Sequence, residues 1–215
     1  MNILNYIWPP FCQSCRAWLK ARTLLCFECR AQIIPIVSGI CVINTTCSIP
    51  VVAISDYQEP LKALIVAKKR SHRLAAQYLG SLIWELSSVR ALRFDYLVPV
   101  PQHWTRRFIR GYNPAQVIAR ELSRESGKPV ADIMRRVKRT RYQLSLTATE
   151  RAQNVRNAFA LALSPKEYAL YKGAHLLLVD DLYTTGATAR AAVQELLKLE
   201  PASITIVVAC RVLSS

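Results

Sequence analysis

Residues 176–188 read Leu-Leu-Leu-Val-Asp-Asp-Leu-Tyr-Thr-Thr-Gly-Ala-Thr, and the order of residue types there leaves little freedom to the rest of the chain. Leu176 to Val179 form a short unbroken apolar run. That is the pattern of a strand buried on both faces, as in a parallel sheet. Two neighbouring carboxylates, Asp180 and Asp181, stand where the strand should end. Thr184, Thr185, Gly186, Ala187 and Thr188 then make a small-residue turn that opens a helix. Its apolar spacing continues through Ala189, Ala192, Val193 and Leu196 until Pro201 closes it.

The chemistry follows from that geometry. Ligands of open parallel sheets sit beyond the carboxyl ends of the strands. A turn of small residues leaves its backbone N–H groups exposed, and the following helix adds its positive end, so the two together cradle a phosphate. Threonine hydroxyls can donate to the same oxygens. Ionised Asp180 and Asp181 are acceptors only, which suits the hydroxyls of a sugar or a Mg²⁺ ion near one. Acid pair and cradle therefore describe a ribose 5-phosphate site, with Asp180 and Asp181 as the residues to carry any catalysis. The plain alternative is a buried strand that ends in an acidic turn. A nucleotide triphosphatase is excluded, because no Gly-x4-Gly-Lys-Ser/Thr string accompanies the strand. The run of two acids, two variable positions, Thr-Thr-Gly and a later Thr resembles the phosphoribosyl pyrophosphate (PRPP) loop of the type I phosphoribosyltransferases. The resemblance implies that Asp180, Asp181 and Thr184 to Thr188 hold PRPP together with Mg²⁺.

Near the start, Cys12-Gln-Ser-Cys15 and Cys26-Phe-Glu-Cys29 are two Cys-x-x-Cys pairs at short separation. Each pair makes a tight turn presenting two thiolates, and two turns complete a tetrahedron around structural Zn²⁺. A redox pair would need only one such motif and a thioredoxin-like surround. Cys41 and Cys47 match no zinc spacing and are expected to be spare thiols, with a place near the first metal as the alternative. Cys210 falls in the apolar run from Ile204 and is expected in the core. Met1 to Pro10 carries no charge and is interrupted by Pro9-Pro10, unlike a signal peptide. No apolar run reaches the roughly 20 residues of a membrane span. The cytoplasm is the expected compartment, without membrane insertion.

The 215 residues are 52% hydrophobic, enough for a core, and carry a formal net charge of +15. That excess favours polyanionic partners such as nucleic acid or phosphorylated metabolites. Two domains are expected: a zinc-ribbon-like module with four thiolate ligands over residues 1–50 and an α/β domain over 51–215, divided near Pro50. In the second, a first strand is expected from Ile49 to Tyr57 and helices over Leu61 to Lys69 and about Leu74 to Arg90. A buried strand follows at Tyr96 to Val100. Asn113 caps a helix with Pro114 at its first position, and Gly127 ends it. Arg106, Arg107 and Arg110 precede that helix and are placed to meet pyrophosphate, since guanidinium grips phosphate oxygens in pairs. Met134 to Phe159 is the most basic tract. Arg135, Arg136, Lys138, Arg139 and Arg141 with Tyr142 suit a single-strand groove in which bases stack and phosphates pair with cations, as well as a merely solvated loop. His72 and His103 stand alone, without metal-ligand company. The alternation of strand and helix indicates an α/β fold.

Taken in order, the paired Cys-x-x-Cys, Val98-Pro99-Val100-Pro101, Arg110-Gly111-Tyr112-Asn113, Gln143-x-x-Leu146, Arg151-x-x-Asn154-Val155 with Phe159, and Asp180 to Thr188 resemble the ComF family. These are competence-associated, phosphoribosyltransferase-like proteins. The resemblance spans nearly the whole chain. It implies a zinc-ribbon module before a type I phosphoribosyltransferase-like parallel sheet with helices on both faces. It also implies a cytoplasmic role with incoming single-stranded DNA in natural transformation, beside proteins of the DNA-uptake machinery, with PRPP as ligand. Arg110 and the basic tract from Arg135 to Tyr142 are the expected nucleic-acid contacts. Pro114 stands where the family usually has Gln. A salvage phosphoribosyltransferase for a free base and a transcriptional regulator on the same fold are the rival readings. Neither accounts as well for the cysteine module and basic tract, and the regulator lacks a helix-turn-helix motif.

Overall fold

The computed structural model describes residues 11–19, 23–35, 39–69, 73–102, 111–137 and 158–212. Within them the order is α1 (Phe27–Ala31), β1 (Gly39–Val42), β2 (Ser48–Asp56), α2 (Leu61–Lys69), α3 (Arg73–Leu86), β3 (Tyr96–Pro99) and α4 (Pro114–Ser126). There follow β4 (Met134–Arg136), β5 (Phe159–Leu161), α5 (Pro165–Tyr168), β6 (His175–Val179), β7 (Leu182–Tyr183), α6 (Ala187–Leu196) and β8 (Ser203–Arg211).

The main sheet runs β1-β2-β8-β6-β3, with β7 also on β8. All its pairings are parallel except β1 with β2, which form an antiparallel hairpin at one edge. Successive residues of the central strands enter opposite faces, as the pleat requires. Val51, Ala53, Leu176, Leu178, Ile206 and Val208 belong to one buried cluster. Val52, Ile54, Leu177, Val179, Val207 and Ala209 belong to the other. Both faces are therefore covered, and the unbroken apolar runs have that cause. On one face α3 lies on β2 and β8, α4 lies on β3 and β6, and the two helices pack on each other. Gly80 makes that crossing close: a Cβ there would stand 2.7 Å from Cβ of Glu121. On the other face α6 packs against β5 and β1.

Helix α4 has the caps its sequence specifies. Asn113 accepts from the amide of Ala115 at 3.2 Å, Pro114 opens the first turn, and Gly127 closes it at φ 71°. The helix expected to reach Arg90 instead stops at Leu86. Ser87 caps a separate 3₁₀ turn over Ser88–Ala91, its hydroxyl donating to the Ile83 carbonyl at 2.6 Å and accepting from Val89 at 3.3 Å. Arg135 and Arg136, expected in an irregular basic tract, lie on β4, which pairs antiparallel with β5 in a separate two-stranded sheet.

Pro50, where the domains were expected to divide, falls inside β2. Residues 39–47 join the main sheet through β1, and Cys41 is fully buried among the apolar residues of α6 and β8. Ahead of that hairpin, residues 11–19 and 23–33 form a small cysteine-rich lobe. Cys12 donates its amide to Ala17 and Gln13 to Leu24, both at 2.8 Å. Phe11 and Trp18 pair across the turn with ring centroids 5.6 Å apart. Leu19, Leu25 and Ile33 sink into the α3 face of the core, and Arg30 forms an ion pair with Glu85 of α3.

Candidate functional site

The acid pair sits between β6 and β7, and both of these strands pair with β8 in one register. Asp180 donates its amide to Val207 (3.0 Å) and Asp181 accepts from Cys210 (3.4 Å), so the ladder runs through the acids. One carboxylate oxygen of Asp180 also accepts the backbone amide of Asp181 at 2.8 Å, which fixes the first acid against the second. Both acids are half-buried at the carboxyl end of the sheet. Thr184 and Thr185 are exposed, Gly186 and Ala187 are buried, and Thr188 is half-buried. The sequence therefore brought seven of its predicted residues into one continuous turn, Asp180, Asp181 and Thr184 to Thr188.

Gly186 is the residue on which the turn depends. It caps α6 at φ 72°, ψ 0°, a left-handed conformation open to glycine without steric cost. A Cβ at this position would also collide with the hydroxyl of Tyr183. Val100, Leu178, Asp180, Tyr183, Thr184, Gly186 and Thr188 line an open pocket at the turn. The exposed Thr184 and Thr185 stand at the amino end of α6. There, backbone donors and the helix dipole favour an anion, and the carboxylates of Asp180 and Asp181 favour hydroxyls or a cation. Val100 and Asn113 reach the same end of the sheet, the Asn113 amide donating to the Val100 carbonyl at 3.0 Å.

Arg135 is exposed on β4, whereas the guanidinium of Arg136 lies over the Phe159 ring, 5.3 Å from its centroid. Arg106, Arg107, Arg110, Lys138, Arg139, Arg141 and Tyr142, as well as His72 and His103, lie outside the described residues. Tyr183 and Arg190 were assigned no role from the sequence, and both touch the turn. Tyr183 has its hydroxyl against Gly186 and the Cys41 thiol, and burial, then that thiol, push its own ionisation far above the usual range. Arg190 donates to the carbonyl of Thr185 at 3.0 Å. Only the three-residue spacing from Tyr183 to Gly186 hints at the first. The partners of both on β1 are invisible without the sheet order.

The second site is the cysteine lobe. The sulfurs of Cys12, Cys15, Cys26 and Cys29 all lie within 4.8 Å of one another. Among the described residues no other group of three or more potential ligands gathers in this way. Cys15 and Cys26 sulfurs are 3.6 Å apart, and backbone amides of Cys26 and Cys29 point at Cys12 and Cys26 sulfurs, each at 3.4 Å. Such amides stabilise thiolate. Burial raises the Cys12 thiol, but amides of Cys26, Cys15 and Ser14 outweigh it and bring it down to about 6. The Cys29 amide lowers Cys26, yet the Glu28 carboxylate and the neighbouring thiols push it up to about 12. Four converging sulfurs in two knuckles are the donor set of a tetrahedral site for a metal such as zinc. Cys41, Cys47 and Cys210 take no part: Cys41 and Cys210 are buried in the core, and Cys47 packs at its margin.

No helix among the described residues is long and apolar enough to cross a membrane. The sequence profile of the phosphoribosyl transferase domain family matches residues 109–215. Competence protein F of Haemophilus influenzae is 37% identical over 64% of this chain, a span that covers 62% of that protein. The DNA utilization protein YhgH of Salmonella typhimurium is 30% identical over 94% of this chain and 90% of its own length. Among solved structures, the allosteric regulatory enzyme of purine biosynthesis aligns with a TM-score of 0.43 and 18% identity over 63% of this chain and 25% of that one. With a near full-length relative, the phosphoribosyltransferase profile over the turn and the cysteine lobe at its start, the chain belongs to the ComF family of competence-associated, phosphoribosyltransferase-like proteins.

Proposed function

We propose that this protein binds PRPP with Mg²⁺ on the turn from Asp180 to Thr188 and handles incoming single-stranded DNA in natural transformation. The observation that carries the PRPP reading is the turn itself. Two carboxylates stand at a strand's carboxyl end, two exposed threonines follow, and a left-handed Gly186 opens a ten-residue helix. Asp180 and Asp181 would hold the ribose hydroxyls, and backbone amides of Thr184 to Thr188 the 5-phosphate. Mg²⁺ would neutralise the pyrophosphate, aided by Arg106 and Arg107. The reaction such a site can carry is displacement of pyrophosphate from C1 of the ribose by a nitrogen nucleophile, through an oxocarbenium-like transition state. The DNA reading draws on the names of the relatives, competence protein and DNA utilization protein, and on the +15 charge of the chain. Arg110, Arg135, Arg136, Lys138, Arg139, Arg141 and Tyr142 are its proposed contacts, in the cytoplasm beside the uptake machinery. The lobe that carries Cys12, Cys15, Cys26 and Cys29 is proposed as a structural Zn²⁺ module ahead of the phosphoribosyltransferase-like domain.

Calorimetric titration with PRPP and Mg²⁺ tests the first part. Asp180→Asn with Asp181→Asn should remove binding while leaving the melting temperature and bound zinc unchanged. Equal affinity in the double variant would overturn the assignment. Release of pyrophosphate on adding free bases would favour the salvage reading, and release only with DNA present would favour a nucleic-acid acceptor.

A further inference from the structure

Beside the turn, two side chains join it to a strand far away in the sequence. Arg190, one turn into α6, is half-buried, and its guanidinium spans two carbonyls. One nitrogen donates to Thr185 in the turn at 3.0 Å, the other to Val42 at the end of β1 at 2.9 Å. Its backbone amide bonds the Gly186 carbonyl at 2.8 Å. Tyr183 closes the other side. Its ring lies under Gly186, filling the space a Cβ would take, and it packs against the buried cluster that holds Cys41 of β1. Its backbone carbonyl accepts from Val212 at 2.8 Å, which anchors it to β8. Cys41 is wholly buried, so this packing is shielded from water.

From this arrangement we infer that β1 is part of the phosphate site: Arg190 is a positioning residue that ties the 184–188 turn to Val42, Tyr183 braces the turn from beneath Gly186, and together they hold its amides in the anion-binding shape. The inference rests on the PRPP reading above and deepens it. The physical reason is that exposed amides bind an anion well only when their directions are fixed beforehand, because ordering them at the moment of binding costs conformational entropy. A planar guanidinium with donors on two edges suits a bridge between two fixed carbonyls, whereas an ammonium is a single point. Residues 39–42 lie outside the matched phosphoribosyltransferase segment, which begins at residue 109. This makes β1 a support that the family profile does not include.

The experiment uses the full zinc-loaded chain with Arg190→Ala, Arg190→Lys and Tyr183→Phe. Amide hydrogen exchange is measured without ligand, and PRPP with Mg²⁺ is then titrated. Arg190→Ala should speed exchange of the 185–188 amides selectively and raise the PRPP dissociation constant about tenfold, with melting temperature and zinc content kept. Arg190→Lys should restore part of both effects, since one donor can still reach one carbonyl. Tyr183→Phe, which keeps the ring under Gly186, should weaken binding by a smaller factor. Unchanged exchange and affinity in Arg190→Ala would overturn the inference. So would equal loss from Lys and Ala, or loosening spread over the whole sheet. If the unaltered protein fails to bind PRPP, the ribose-phosphate reading falls. The exchange arm still decides whether Arg190 holds the turn.

Discussion

At the scale of single residues, the turn owes its form to Gly186 more than to the acids that draw the eye. Any Cβ there meets both a left-handed backbone and the Tyr183 hydroxyl. Gly186→Ala should therefore cost about 1–3 kcal/mol in a denaturant titration and abolish PRPP binding. The acids should behave in the opposite way: their replacement by amides removes ligand without removing stability. Within the cysteine lobe, backbone amides bring the Cys12 thiol down to about 6, whereas Cys26 is pushed up to about 12 and Cys29 is raised by burial and by the Cys15 thiol. Metal requires all four ionised. Loading zinc must then expel thiol protons, so zinc affinity should fall as pH drops from 8 to 6. A competition with a chelator at each pH measures this, and a flat profile would contradict it.

At the scale of elements, the parts that could be read were those whose own residues set their form. Leu176–Val179 and Ile204–Cys210 are buried on both faces, so their runs are unbroken. Asn113, Pro114 and Gly127 mark α4 at both ends. The acid pair and small-residue turn were legible for the same reason, as backbone chemistry written in adjacent positions. Elements that exist only through distant partners were not. Gly39–Val42 has no alternation strong enough to announce a strand, and it is one because β2 lies beside it. Met134–Arg136 is cationic and joins β5 across more than twenty intervening residues. Arg190 and Tyr183 escaped notice because their β1 partners are distant in sequence. Cys12→Ser should remove bound metal and loosen α1, read as lost zinc and faster exchange in residues 26–31. One full equivalent of retained zinc would refute the four-thiolate set.

For the whole molecule, the chain is organised by a sheet that the cysteine lobe leans on, and the expected division near Pro50 cuts through a strand of it. A chain beginning at residue 51 would lose β1, the first three residues of β2 and buried Cys41. It should be recovered unfolded or aggregated, whereas one beginning at residue 39 should retain a cooperative thermal transition. Charge acts at this scale as well. With +15 overall, single-strand affinity should fall steeply with salt, and Glu replacements at Arg135, Lys138, Arg139 and Arg141 should flatten that slope. An unchanged slope would demote the tract to a solvated surface.

Strand β8 pairs with β2, β6 and β7 at once, yet it is made after all three. On a ribosome, then, β2 and β6 wait exposed until residues 203–211 emerge, because pairing over such separations closes late. The cysteine knuckles need only residues 12–29 and can capture their ion while translation is still under way. A nascent polypeptide of this protein should thus be able to hold a metal ion before it owns a sheet, and it should be most vulnerable to proteases just before residues 203–211 leave the exit tunnel.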